Sequence, residues 1–267
     1  MTDSIPETTR TTESPEPMPA PRPAGRGRRL SAIFKREFLA YFRSPVAYVF
    51  LAVFILAGNG LTWFIGSWFE SNEASLTRFF EFLPWVFLFL IPAVGMRLWS
   101  EEKRSGTWEL LFTYPLSVTE TVLGKFLAGW VFIGVGLTLT FTMPLTAAFL
   151  GNPDWGPIFA GYLGAFLLAG AYLGISSLAS AVTRNQVISF VIGVIGCLIM
   201  VFLGWSVFND LLQNLGLPVE GVDFIANLGF LPHFDPMSKG LIALRDLLYF
   251  FSIILFTLWL NIVILER

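Results

Sequence analysis

Six long apolar runs separated by shorter polar stretches set the layout of this chain, over 46–66, 79–99, 121–148, 158–182, 187–208 and 247–265. Each is long enough to cross a hydrocarbon core of about 30 Å as a helix. A helix also satisfies its own backbone hydrogen bonds where no water can. The pattern predicts an all-α integral membrane protein with six transmembrane helices, joined at 67–78, 100–120, 149–157, 183–186 and 209–246. A seventh, shorter pattern precedes them. Leu30, Ile33, Phe34, Phe38, Tyr41 and Phe42 recur at steps of three and four, with Lys35, Arg36 and Arg43 on the other side. A basic, aromatic helix next to a span lies in the headgroup plane, so 28–44 is expected to be an interfacial helix, turned into the bilayer at Ser44-Pro45.

Residues 1–27 are rich in Pro, Thr, Glu and Ser and nearly free of aliphatic side chains, the composition of a disordered tail. Lys35, Arg36 and Glu37 fall where a leader's apolar core would lie, so Arg28-Arg29 is not expected to open a signal peptide. The domain reading is therefore a tail over 1–27 and one six-span unit over 28–267.

Charge orients the spans. With the N-terminus inside, Arg28, Arg29, Lys35, Arg36, Arg43, Arg97, Lys103, Arg104, Lys125, Arg184 and Arg267 fall on the inner side, and Arg78, Lys239 and Arg245 on the outer. That asymmetry places both termini and the 100–120 connection in the cytoplasm. Only 13% of residues are charged, about half the share in soluble domains. A net charge of −2 offers no basic excess for nucleic acid. The single cysteine, Cys197, excludes an intrachain disulfide and a cysteine-built metal site. Glu81, Arg97 and Lys125 stand near span ends and are expected to reach the interface, leaving mid-span without ionisable groups. A pump run by an ion gradient needs such groups as relays, so the energy is expected to come from elsewhere.

The 100–120 connection is patterned like a folded element. Glu101, Glu102, Lys103 and Arg104 bar it from hydrocarbon. Gly106 suits the left-handed position that ends a helix, and Thr107 suits an N-cap. An apolar turn around Glu109 follows, Pro115 stops it, and Ser117-Val118-Thr119-Glu120 reads as a capping box opening the next span. The expected form is helix, break, helix, break, helix: a stiff lever. In the fourth span Gly161, Ala165, Ala169, Gly170 and Gly174 form a stripe for close helix packing, within the subunit or at a dimer seam. The 209–246 segment, with apolar pieces too short to span and broken by Pro218, Pro232 and Pro236, predicts interfacial or re-entrant helices. His233 is the only histidine, and a structural, hydrogen-bonded role is expected for it.

The run Glu101-Glu102-Lys103-Arg104-Ser105-Gly106-Thr107-Trp108-Glu109-Leu110-Leu111, followed by Pro115-Leu116-Ser117, resembles the "E…GT.E.LL…P.S" pattern of type-2 ABC transporter permeases. The stretch 35–50, KREFLAYFRSPVAYVF, is similar to the first helix of the gliding-motility and copper-maturation (nitrous oxide reductase accessory) branch. The run 229–248, with Phe230-Leu231-Pro232-His233-Phe234-Asp235, Ser238-Lys239-Gly240 and Arg245-Asp246-Leu247, is similar to that branch's outer gate; Pro236 is less often proline there.

The resemblance implies a multi-pass permease subunit of an ATP-driven transporter, an exporter, in the cytoplasmic (inner) membrane of a prokaryote. It implies separate ABC ATPase subunits holding ATP and Mg, a second permease copy or a paralogue, and lipid as surroundings. This chain has no GxxxxGK[ST] loop and is expected to bind no cofactor or metal and to catalyse nothing itself. Glu101, Glu102, Arg104, Gly106, Thr107, Glu109, Leu110, Leu111 and Pro115 would form the ATPase-coupling element, the acids making polar contacts. Leu110, Leu111 and Phe112 would fill the ATPase cleft or anchor the lever to the bundle. Phe230, His233, Phe234 and Ser238 would belong to the outer gate. One alternative is a non-transporting scaffold through which an ATPase does mechanical or signalling work. Another is a membrane enzyme using Glu81, His233 and Asp235, which no spacing joins into a mechanism.

Overall fold

A computed structural model describes residues 26–71, 74–106 and 117–266. In chain order the helices are α1 (Arg26–Arg43), α2 (Pro45–Gly60), α3 (Thr77–Gly95), α4 (Arg97–Ser105), α5 (Val118–Leu139), α6 (Thr142–Leu150), α7 (Trp155–Val182), α8 (Gln186–Gly204), α9 (Ser206–Asn214), α10 (Val219–Ala226), α11 (Leu231–Ser238) and α12 (Leu244–Leu265). A wider π turn, Leu61–Ile65, extends α2. Among the described residues there is no strand, and six helical stretches are long and apolar enough to cross a membrane: Pro45–Ile65, Thr77–Ser105, Val118–Leu150, Trp155–Val182, Gln186–Gly204 and Leu244–Leu265. The chain is an all-α, multi-pass membrane protein.

The fourth span, α7, is the hub: 72% of its most apolar window is buried, against 22% for α8. It packs on α3, α5, α8, α11 and α12. Its small residues make this possible. A Cβ at Gly161 would stand 2.5 Å from the Phe80 ring, one at Gly170 2.8 Å from Ile254, and one at Gly174 2.2 Å from the Thr257 hydroxyl. These positions of the stripe are thus spent on contacts within the chain.

Two spans break where proline or a crossing backbone interrupts them. Pro144 cannot donate to the Thr140 carbonyl four residues back; the Tyr162 hydroxyl donates to it instead, at 3.1 Å. The expected single helix over 121–148 is therefore α5 followed by α6. The fifth span was expected to run to residue 208, but α8 stops at Gly204 and Trp205 is extended. There the backbone at Gly229 crosses it so closely that a Cβ would lie 2.2 Å from the Gly204 nitrogen. The Phe230 amide donates to the Met200 carbonyl at 3.0 Å. Within 209–246, α9 buries no residue, whereas α11 buries His233, Phe234, Met237 and Ser238.

Helix α1 also finds a partner. Ile33 sits over Gly124, where a Cβ would come within 2.6 Å of its Cγ2, and Tyr41 stacks on Phe132 at 4.7 Å. These contacts seat α1 along α5. The tail expected over 1–27 lies outside the described residues except for Arg26 and Gly27, which open α1.

Candidate coupling site at the base of the 100–120 loop

The second span does not end where the polar residues begin. After a break at Met96 the helix resumes as α4 and runs through Glu101–Ser105. The start of the 100–120 connection is thus an extension of the span, because Leu98, Trp99 and Ser100 bury one side of it. It stops at Gly106, which has φ 71°, the left-handed conformation that terminates a helix with little strain. On the far side of the loop Ser117 caps α5. Its hydroxyl accepts from the Glu120 amide and the Glu120 carboxylate accepts from the Ser117 amide, both at 3.2 Å. The capping box read from the sequence is present.

The Met96 break is held by one hydroxyl of α7. Ser180 Oγ accepts from the amides of Trp99 and Ser100, each at 3.0 Å, and donates to the Met96 carbonyl at 2.8 Å. One donor and two acceptors are all that a hydroxyl has. Beside it the Trp99 indole donates to Ser177 Oγ at 3.1 Å, and the Asn261 amide of α12 donates to the same oxygen at 2.7 Å. Lys103 donates to the Ala181 carbonyl at the end of α7. The base of α4 is thereby fixed to α7 and, through Ser177, to α12.

A buried charge cluster fixes its other side. Lys125, on α5, was expected to reach the interface. Instead its side chain is 4% exposed, with the ammonium 2.7 Å from Glu102 of α4 and 3.4 Å from Glu37 of α1. Helix α1 lies over this end of α5 and covers the lysine, which takes its counter-charges from the chain. The ammonium also lies 5.4 Å from the centre of the Trp99 ring. Burial raises the Glu37 carboxyl, but the Lys125 and Arg36 cations outweigh that and hold it below its ordinary value. A partly buried pair of this kind fixes geometry more than it adds net stability. Arg29 approaches Glu120 at 4.0 Å, a looser tie between α1 and α5.

The loop residues named from the sequence separate accordingly. Glu102 points inward to Lys125, while Glu101 is exposed and paired with Arg97 at 3.2 Å. Arg104 and Gly106 are exposed. Thr107, Glu109, Leu110, Leu111, Phe112 and Pro115 lie outside the described residues. At the opposite end Phe230, His233, Phe234 and Ser238 are all buried, Phe230 against Tyr172 at 5.0 Å. His233 does not join Glu81 and Asp235; its Nδ1 lies 2.8 Å from Asp246 Oδ1.

Sequence reasoning missed Lys125, Glu37, Ser177, Ser180 and Asn261 as a set. Only two signals pointed there: a lysine about one turn into an apolar span, and serines spaced by three along the end of α7. The sequence model of the family described as ABC-2 family transporter protein matches residues 70–264, more than half of the chain. Among curated proteins no relative matches.

Proposed function

We propose, from the premise that the chain belongs to the ABC-2 family transporter proteins, that this membrane permease subunit is driven through its 100–120 loop by a separate ATPase. The supporting observation is that both helices flanking the loop are clamped to each other at its base, through Glu102 and Lys125. A push on a loop hung from an unrestrained helix end would be spent in local bending. Here α4 cannot tilt without carrying α5, α1 and the end of α7. The loop faces the cytoplasm, as the Lys and Arg distribution argues, and the membrane is the inner membrane of a prokaryote. Two such subunits, identical or paralogous, form the path, and ATP with Mg is held by the partner chains. Export is the direction that fits, with the 209–246 segment at the exit.

Gentle extraction of the tagged chain tests this reading. Recovery of a soluble ATPase carrying a phosphate-binding loop, and its loss in a Glu109→Ala/Leu111→Ala variant that still inserts, are expected. A chain that purifies alone under every mild condition overturns the reading. ATP turnover in liposomes with no cargo moved favours the mechanical scaffold.

A further inference from the structure

At the end of the bundle opposite the coupling loop, a single imidazole joins three elements. His233 Nδ1, on α11, lies 2.8 Å from Asp246 Oδ1 in the first turn of α12. His233 Nε2 lies 3.0 Å from the Asn227 carbonyl, just after α10. The ring stacks on that of Tyr249 at 3.8 Å between centres, and the Tyr249 hydroxyl donates to the Leu228 carbonyl at 2.6 Å. The histidine is 4% and Asp246 0% exposed.

The hydrogen-bond chemistry of this arrangement is one-sided. A neutral imidazole has one N–H and one bare lone pair. A backbone carbonyl can only accept, and an ionised carboxylate can only accept. Arg245 Nε also donates to Asp246 Oδ1, at 3.3 Å, which favours the ionised carboxylate. With an acceptor opposite each ring nitrogen, a neutral His233 would set a lone pair against an oxygen in a buried site. An aromatic face stacked on the ring is a further environment that suits a cation.

We infer that His233 and Asp246 form a proton-binding site, in which His233 is held as the imidazolium and the bound proton fastens α11 to α12. Helix α10, beside the Asn227 carbonyl, carries Glu220 and Asp223, both exposed. Helices α7 and α8 carry no acid, lysine or arginine along their length. The charges of α3 at this end, Arg78 and Glu81, are paired with each other at 3.2 Å. Asp235 on α11 has Lys239 and Glu81 as its electrostatic neighbours. The clasp is complete while both ring nitrogens carry hydrogens; with one of them bare, one of the two contacts has no donor. The bound proton thereby ties the 209–246 segment to the start of α12, whichever way ATP drives the bundle.

Because the chain has one histidine, ring-¹⁵N-histidine labelling of the full protein, purified through a tag without histidine, reports this site alone. At pH 7.5 both ring nitrogens are expected to carry directly bonded hydrogens. Asp246→Asn should leave one nitrogen bare at the same pH, and Arg245→Gln, which keeps the carboxylate, should leave both protonated. A wild-type spectrum at pH 7.5 with one protonated and one bare nitrogen overturns the inference, without reliance on any variant.

Discussion

The ammonium of Lys125 lies 2.7 Å from a carboxylate oxygen of Glu102, and these two residues stand on the two helices between which the 100–120 loop hangs. The contact closes the loop at its base. Glu37 of α1 meets the same ammonium at 3.4 Å, so three elements move as one at this end.

Breaking that contact should cost stability. Lys125→Met takes the ammonium from two mostly buried carboxylates, with Arg36 still on Glu37, and a loss of about 3 kcal/mol is expected, since removing one partner of a buried pair leaves the other poorly compensated. Glu102→Gln keeps a polar group facing the lysine and should cost less, about 1 kcal/mol. Thermal unfolding of the purified variants in one detergent checks the order. Equal midpoints for both variants and the wild type would mean that the cluster is not closed in solution.

Ser180 should prove as costly as a much larger side chain. Ser180→Ala strips a partner from the amides of Trp99 and Ser100 and from the Met96 carbonyl at once. Unsatisfied buried groups cost about 1–3 kcal/mol each, and Ser100 is fully buried. Hydrogen exchange should rise at residues 99–100 first, ahead of α3. Exchange unchanged there would show that the break is held by other groups.

The seam between α7 and α12 depends on a missing Cβ. Gly174→Ala would place a methyl 2.2 Å from the Thr257 hydroxyl, and overpacking of this kind costs about 1–3 kcal/mol. Thr257→Ala in the same chain should recover much of the loss, because it removes the atoms in the way. Gly58→Ala is the control: its new methyl meets only Phe79, at 3.4 Å, and should be tolerated. A Gly174→Ala protein as stable as the control would contradict the close packing.

Acid should loosen the base of the loop through Glu37. Its folded value is depressed below the ordinary 4.5. Its contribution is therefore full above that ordinary value and is lost as the pH falls through the lower folded one. Glu37→Gln should flatten this part of the pH dependence of unfolding. A variant profile parallel to that of the wild type would remove Glu37 from the clamp.

The elements legible in the sequence were those set by local chemistry. Apolar length fixed the spans, Gly106 the end of α4, and Ser117 with Glu120 the start of α5. What escaped depends on residues far apart along the chain. Nothing near Phe208 announces that α8 stops at Gly204, because the cause is the backbone at Gly229. Lys125 looked like a residue near a span end because its carboxylates lie 23 and 88 positions earlier, on α4 and α1. What Ser180 does depends on the break at Met96, 84 positions earlier.

The claim that an ATPase pushes on the loop is open to one direct measurement. A photo-crosslinking amino acid at Glu109 in cells should trap a soluble protein with a phosphate-binding loop. The same group at Leu241, exposed at the opposite end of the bundle, should not. Adducts with such an ATPase at 109 alone are the expected result. Its absence from 109, or equal capture at 241, would contradict coupling through this loop.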